Sequence, residues 1–336
     1  MRPDEIQSRL EPWLAQVSGA NSVSLFDIEK LSGGAIQENW ALSVTFSSGS
    51  LAGMQKLVLR TDAPSIVSAS LNRSQEYALL KTAFEAGVCV PEPLWVCDDM
   101  DVLGRNFFMM RRVGGFAAGH KLVRDQSLGA DLLKQLGQQL ATIHMITPPS
   151  DELSFLKVPD DAPALRDIVQ YRGWLDEFSA PYPVLEWGLS WLQRNAPANT
   201  EIVLNHRDFR TGNYMVHDGD LSGILDWEFA AWGDPMADIG WFCAKCWRFG
   251  ATTNEAGGIG DRSDFYSAYE AASGRTIDES AVTYWEVMAH VRWAIIAVQQ
   301  GNRFFIDGEE NLEAALTAHV LPELELEIMR MTGNGT

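Results

Sequence analysis

Polar and apolar positions alternate in the first third of the chain and recur at helical spacing in the rest. Trp40, Leu42, Val44 and Phe46 face one way at period two, the signature of a half-buried strand. Upstream, DIEKL reads as a strand ending at the Ser32-Gly33-Gly34 turn. SSGSLAG breaks the chain, and QKLVLRTD reads as a strand paired back on its predecessor. SLNRSQEYALLKTAFEAG has apolar residues three and four apart and ends in glycine, which predicts a helix with a C-cap. Two short strands follow, around LWVCDD and over RNFFMMRRV. One main helix among strands makes a small α+β lobe.

Beyond a connector at Gly114-Gly115 the pattern turns helical, over DLLKQLGQQLATIHMI, LRDIVQYRGWLDEF, VLEWGLSWLQRN, SDFYSAYEAAS and AVTYWEVMAHVRWAIIAVQQ. Between these helices EIVLNHRD and NYMVHDGDLSGILDWE are β-rich, and HDGD signals a hairpin turn. The expected organisation is a strand-rich lobe over residues 1–112 and a helix-rich lobe over 113–336 that contains a β-hairpin. NEAGGIGDRS follows no strand and is expected to be a plain loop.

Composition narrows the function. Lys plus Arg number 26 against 45 Asp plus Glu, a net charge of -19, which argues against nucleic-acid and anionic-membrane partners. No apolar run reaches the ~18 residues that span a bilayer. MRPDEIQSRLEPWL is charged and amphipathic and lacks the apolar centre of a signal peptide, so the expected location is cytoplasmic. Cys243 and Cys246 have metal or redox spacing, but no second cysteine pair completes a zinc site, and small core residues are expected.

The informative segment is HRDFRTGN, residues 206–213, followed by Asp226 within ILDWE. Phosphoryl transfer from ATP needs a carboxylate to orient the attacking hydroxyl and accept its proton. It also needs oxygen ligands for Mg²⁺, which neutralises the triphosphate. An H-x-D-x-x-x-x-N loop supplies the carboxylate and an amide oxygen, and a hairpin can return a second Asp to the same metal. HxDxxxxN alone recurs by chance; its weight comes from ILDWE at the right distance and a glycine turn upstream.

These segments, together with Gly233-Asp234-Pro235-Met236-Ala237-Asp238-Ile239-Gly240, resemble the aminoglycoside phosphotransferase-like family of small-molecule kinases. GDPxxDIG separates that family from protein kinases, which carry DFG and APE. The resemblance runs from about Leu31 to the helix around Trp293. It implies a bilobal protein-kinase-like α+β fold and an ATP-dependent phosphotransferase acting on an alcohol group of a small molecule. It further implies Asp208 as base, Asn213 and Asp226 as Mg²⁺ ligands, and Arg210 near the transferred phosphoryl group. His206 would be structural, Glu228 a second contributor near the metal, and Asp234 and Asp238 braces, Asp238 being also an N-cap candidate.

On the first lobe Ser32, Gly33 and Gly34 match the nucleotide loop. Arg60 stands where the family carries its phosphate-pairing lysine, with Glu76 as its helix partner, and Lys56 suits solvent. Arg112 and Val113 match the hinge that meets adenine through the backbone. Arg248 is expected to face an anionic group of the acceptor, and His144 to be a packing residue. The alternative function is a catalytically weak, nucleotide-binding pseudokinase or regulatory module.

Overall fold

The computed structural model describes residues 1–31, 37–62, 71–197, 201–306, 308 and 312–333. In chain order the elements are α1 (Pro3–Ser18), β1 (Val23–Lys30), β2 (Gln37–Phe46), β3 (Gly53–Asp62), α2 (Arg73–Glu85), β4 (Pro93–Cys97), α3 (Met100–Leu103) and β5 (Phe107–Arg111). There follow α4 (Gly119–Leu122), α5 (Ala130–His144), α6 (Pro163–Asp176), α7 (Pro183–Arg194), β6 (Val203–Asn205), β7 (Tyr214–His217), β8 (Asp220–Ile224) and β9 (Ala231–Gly233). The chain closes with α8 (Pro235–Cys243), α9 (Arg262–Ser273), α10 (Glu279–Phe305), α11 (Leu312–Ala318) and α12 (Leu321–Gly333).

These elements pack as two compact units. The first comprises Met1–Phe116, Pro149–Phe155 and Tyr214–Ala230. Its centre is an antiparallel sheet in the order β1-β2-β3-β5-β4. The expected pairing of β2 with β3 is present, with Trp40 opposite Leu59 and Leu42 opposite Leu57. Trp40, Leu42, Val44 and Phe46 are all buried, so the alternation reports burial of one face. α2 is capped by Asn72, whose side chain accepts from the Gln75 backbone N–H.

α1 is a helix that the pattern reading left out. Ile6, Leu10 and Leu14 are four residues apart and fully buried against Leu25, Phe46 and Phe107, forming the core of this unit. Pro12 sits inside the helix and masks the signal.

The hairpin β7–β8 belongs to this sheet unit, and not with the helices as expected. Backbone bonds tie it there: Phe116 bridges Val216, and the Ile224 N–H donates to the Cys89 carbonyl at 2.8 Å. Its turn is the expected one, with Asp218 and Gly219 both at positive φ, 51° and 92°.

The second unit comprises Ala117–Pro148, Leu156–Asn213 and Ala231–Thr336. The expected helices appear as α5, α6, α7, α9 and α10. α10 is the central one, packed against α7, α8, α11 and α12, and Val287, Val291, Ala294 and Ile295 on it have no exposure. β6 pairs with β9, Asn205 opposite Ala231, and this short ladder places residues 206–213 directly after a buried strand. Among the described residues no helix is long and apolar enough to cross a membrane.

Candidate active site

The loop His206–Asn213 is held by Asp238 from beneath. The backbone N–H groups of His206 and Arg207 donate to the two carboxylate oxygens of Asp238, each at 2.7 Å. His144 Nε2 lies 3.3 Å from the same carboxylate, and its Nδ1 lies 2.9 Å from the Tyr269 hydroxyl. Burial works against a charge on Asp238, but His144, His206 and the backbone donors outweigh it and hold its pKa below the usual aspartate value. His206 and His144 are both fully buried. Arg207 takes a left-handed backbone, φ 64°, which is unusual for a long side chain. It is tied down at both ends, by Asp238 on its N–H and by Asp167 on its guanidinium at 2.9 Å.

This frame presents Asp208. Its Oδ1 accepts from Trp241 Nε1 at 2.9 Å and from Arg210 Nε at 3.1 Å. Its Oδ2 and its backbone carbonyl accept from the Asn213 side-chain amide. Arg210 in turn lies over the Trp247 ring, 4.4 Å from its centre. Asp208, Arg210 and Asn213 are therefore brought together by the loop itself.

The GDPxxDIG motif is explained by what it touches inside the helical unit. Asp234 caps α8 through the Met236 N–H at 2.8 Å and also accepts from Trp285 Nε1 at 3.1 Å. It is thus Asp234, not Asp238, that serves as N-cap. Asp238 lies within α8, one turn on, where its side chain points at the loop. Gly233 and Gly240 mark close approaches: a Cβ on Gly233 would fall 2.0 Å from Asn205 Oδ1, and one on Gly240 2.5 Å from Trp285 Cβ.

The sheet unit holds a second cluster. One guanidinium nitrogen of Arg60 lies 2.8 Å from Glu76 and 3.1 Å from Asp226. Burial opposes the charge on Arg60, but Glu76 and Asp226 outweigh it and hold its pKa above the ordinary arginine value. Arg73, which sequence reasoning missed, pairs with the other oxygen of Glu76 and with Asp62. Asp226 has φ 62° and a side chain 33% exposed, so one carboxylate oxygen is engaged by Arg60 while the group still meets solvent. Glu228, expected as a second contributor near the metal, feels the charges of Arg60, Glu76 and Asp226. It is buried, accepts from the Gln37 amide, and burial pushes its pKa up to about 7.

Other expected site residues fall elsewhere. Ser32, Gly33 and Gly34 lie outside the described residues. Of the backbone groups of Arg112 and Val113 expected at adenine, the Arg112 N–H is engaged elsewhere, donating to the Lys56 carbonyl at 2.9 Å. Arg248, expected to face an anionic group of the acceptor, is turned inward. Its guanidinium is buried and donates to the Cys243 carbonyl at 2.8 and 3.1 Å and to the Thr252 carbonyl at 2.8 Å. These contacts are internal and close the last turn of α8. Cys243 is buried, and its thiol is pushed up to about 12 by desolvation, which makes it a poor metal or redox group. Among the described residues no three His, Cys, Asp or Glu side chains gather to hold a metal.

Residues 27–275 match the phosphotransferase enzyme family, and the chain belongs to it. The chain is similar to mouse acyl-CoA dehydrogenase family member 10, 25% identical over 251 residues, covering 70% of this chain and 22% of that protein. It is also similar to family member 11 of Pongo abelii, 24% identical over 295 residues, covering 81% of this chain and 37% of that one. The chain thus spans well under half the length of these curated relatives. Among solved structures it resembles a Ralstonia eutropha protein assigned to the aminoglycoside phosphotransferases, with a TM-score of 0.73, 21% identity, and 97% and 98% of the two chains covered. It also resembles an aminoglycoside phosphotransferase in ternary complex with AMP-PNP and hygromycin B, with a TM-score of 0.64, 14% identity, and 98% and 100% covered. The fold is therefore protein-kinase-like, with an antiparallel five-stranded sheet and a larger helical part.

Proposed function

We propose that this protein is an ATP-dependent kinase that transfers the γ-phosphoryl group to a hydroxyl of a small molecule. The observation that carries the reading is the carboxylate of Asp208, fixed on both oxygens by Trp241, Arg210 and Asn213 at the tip of a loop clamped from below by Asp238. A general base needs this kind of fixed aim, because phosphoryl transfer leaves the protein mainly positioning and charge stabilisation to do. Membership of the phosphotransferase family supports the class of reaction. Bound AMP-PNP in a structural neighbour supports a nucleotide donor.

In this reading Asp208 orients the acceptor hydroxyl and takes its proton, and Arg210 offsets charge on the transferred group. Arg60, held by Glu76, meets the phosphates. Asn213 and Asp226 hold Mg²⁺. Each residue suits that ion within its own unit: the Asn213 nitrogen is hydrogen-bonded to Asp208, which leaves its Oδ1 as the ligand atom, and Asp226 is a partly exposed carboxylate. Mg²⁺ at nucleotide sites takes one or two carboxylates with the phosphates, so a three-carboxylate cluster is not required. When bound, the ion neutralises triphosphate charge. The reaction draws on ATP, and a cytoplasmic location suits it. One observation favours a pseudokinase instead: Arg60 is a bulkier cation than lysine and already pairs with Asp226.

The deciding experiment is thermal melting with Mg-ATP, followed by turnover on an acceptor panel of aminoglycosides, choline-like and homoserine-like alcohols and hydroxyacyl-CoA esters. Nucleotide at ~100 times its dissociation constant stabilises the fold by ~2.7 kcal/mol. The shift should vanish in Asp226→Ala and survive in Asp208→Asn, which should bind without turning over. Binding with no turnover on any acceptor supports the pseudokinase, and no shift at all removes both readings.

A further inference from the structure

Asp208 Oδ1 accepts from two donors that reach it from different elements, Trp241 on α8 at 2.9 Å and Arg210 on the loop at 3.1 Å. A carboxylate oxygen offers two lone-pair directions, so two donors fill it. Oδ2 accepts only from Asn213 among the described contacts and keeps one direction open. We propose that Trp241 is a positioning residue of the phosphoryl transfer: with Arg210 it closes Oδ1 and so makes Oδ2 the atom that receives the acceptor proton. This rests on the kinase reading above. As the hydroxyl oxygen bonds to the γ-phosphorus, its proton passes to Asp208 Oδ2. The bond from the γ-phosphorus to the bridging oxygen breaks, and its electron pair leaves with ADP.

The packing around the two donors makes them one unit. The Trp241 and Trp247 rings touch, with centres 5.1 Å apart. Arg292 lies over the Trp241 ring and Arg210 over the Trp247 ring, each 4.4 Å from the ring centre. A tilt of either indole would disturb both donors to Oδ1. An indole N–H in a protein interior needs some acceptor, so Trp241 satisfied for packing alone is the competing account. Packing predicts a loss of stability on removing the N–H; positioning predicts a loss of rate at unchanged nucleotide affinity.

The test uses the full chain. Trp241→Phe keeps a ring and deletes the donor. Mg-dependent ATP hydrolysis should fall ~10- to 100-fold, the range for losing a hydrogen bond to a charged group, with the nucleotide KM within about twofold. Trp241→His, which retains a ring N–H, should recover part of the rate. Hydrolysis at the wild-type rate in Trp241→Phe, or equal rates in the Phe and His variants, overturns the proposal. A second readout needs no turnover. The indole ¹H–¹⁵N signal missing from Trp241→Phe identifies Trp241, and in Asp208→Ala it should move upfield. A signal that stays in place overturns the contact itself. Wild-type protein that neither binds nor hydrolyses Mg-ATP ends the kinase reading and the proposal with it, while the indole signal still reports the hydrogen bond.

Discussion

Arg60 and Glu76 form an ion pair of 2.8 Å between side chains that are 5% and 3% exposed. Breaking a buried pair from one side leaves a charge without compensation. Arg60→Ala should therefore destabilise the protein by about 3 kcal/mol, the low end for such a break because Arg73 still faces Glu76. Arg60→Lys should lose less, since it keeps the charge but not the nitrogen that reaches both Glu76 and Asp226. Urea denaturation midpoints of the three proteins decide the order.

Asp167 and Asp238 give the helical unit an acid-sensitive hold on its loop. Asp238 faces His144, the His206 and Arg207 backbone N–H groups and the Arg207 charge; Asp167 faces Arg166 and Arg207. Both carboxyls are held below the usual aspartate value. A depressed folded pKa contributes stability above the unfolded value of ~3.9 that is lost as pH falls through the folded value. Stability should thus be flat in these two groups above about pH 4 and fall below it. Asp238→Asn should be less stable at pH 7 by about 1–3 kcal/mol, since one backbone N–H then meets an amide N–H. It should also show a shallower acid limb in denaturation at pH 2–4.

Gly240→Ala tests the approach of α8 to α10. The new Cβ would lie 2.5 Å from Trp285 Cβ and 2.9 Å from its backbone carbon, and backbone cannot step aside cheaply. A loss of about 1–3 kcal/mol is expected, seen as a lower melting temperature. Because Trp241 is on the same helix, turnover should fall as well.

Arg248→Ala separates internal bonding from contact with an acceptor. Internal bonding predicts a loss of about 3 kcal/mol in stability, as carbonyls and Glu286 lose their cation, with acceptor KM unchanged in the folded fraction. An acceptor-facing residue would instead raise KM at unchanged melting temperature.

What the sequence made legible was local. HRDFRTGN brings Asp208, Arg210 and Asn213 together within one loop, so their closeness needs no distant chain, while the roles expected of them came from the family resemblance. Strand alternation from Trp40 to Phe46 survives folding because one sheet face is simply buried. What stayed hidden depends on chain returning from afar. Trp241 reaches Asp208 across 33 residues, and nothing in DIGWFC marks one indole as pointing there. Arg248 looked available because its hydrogen-bond partners are carbonyls, which carry no side-chain signal. Glu228 lost its water to neighbours such as Gln37, 191 positions away. α1 was readable from Ile6, Leu10 and Leu14, but Pro12 inside it argued the other way.

The residues of GDPxxDIG face inward: a glycine against Asn205, a cap on α8, a clasp on two consecutive amides, a glycine against Trp285. A stretch occupied with internal fit carries no information about what the protein binds. A change at any of these inward positions would be felt first as a loss of fit between α8 and its neighbours, before any surface that meets another molecule is touched.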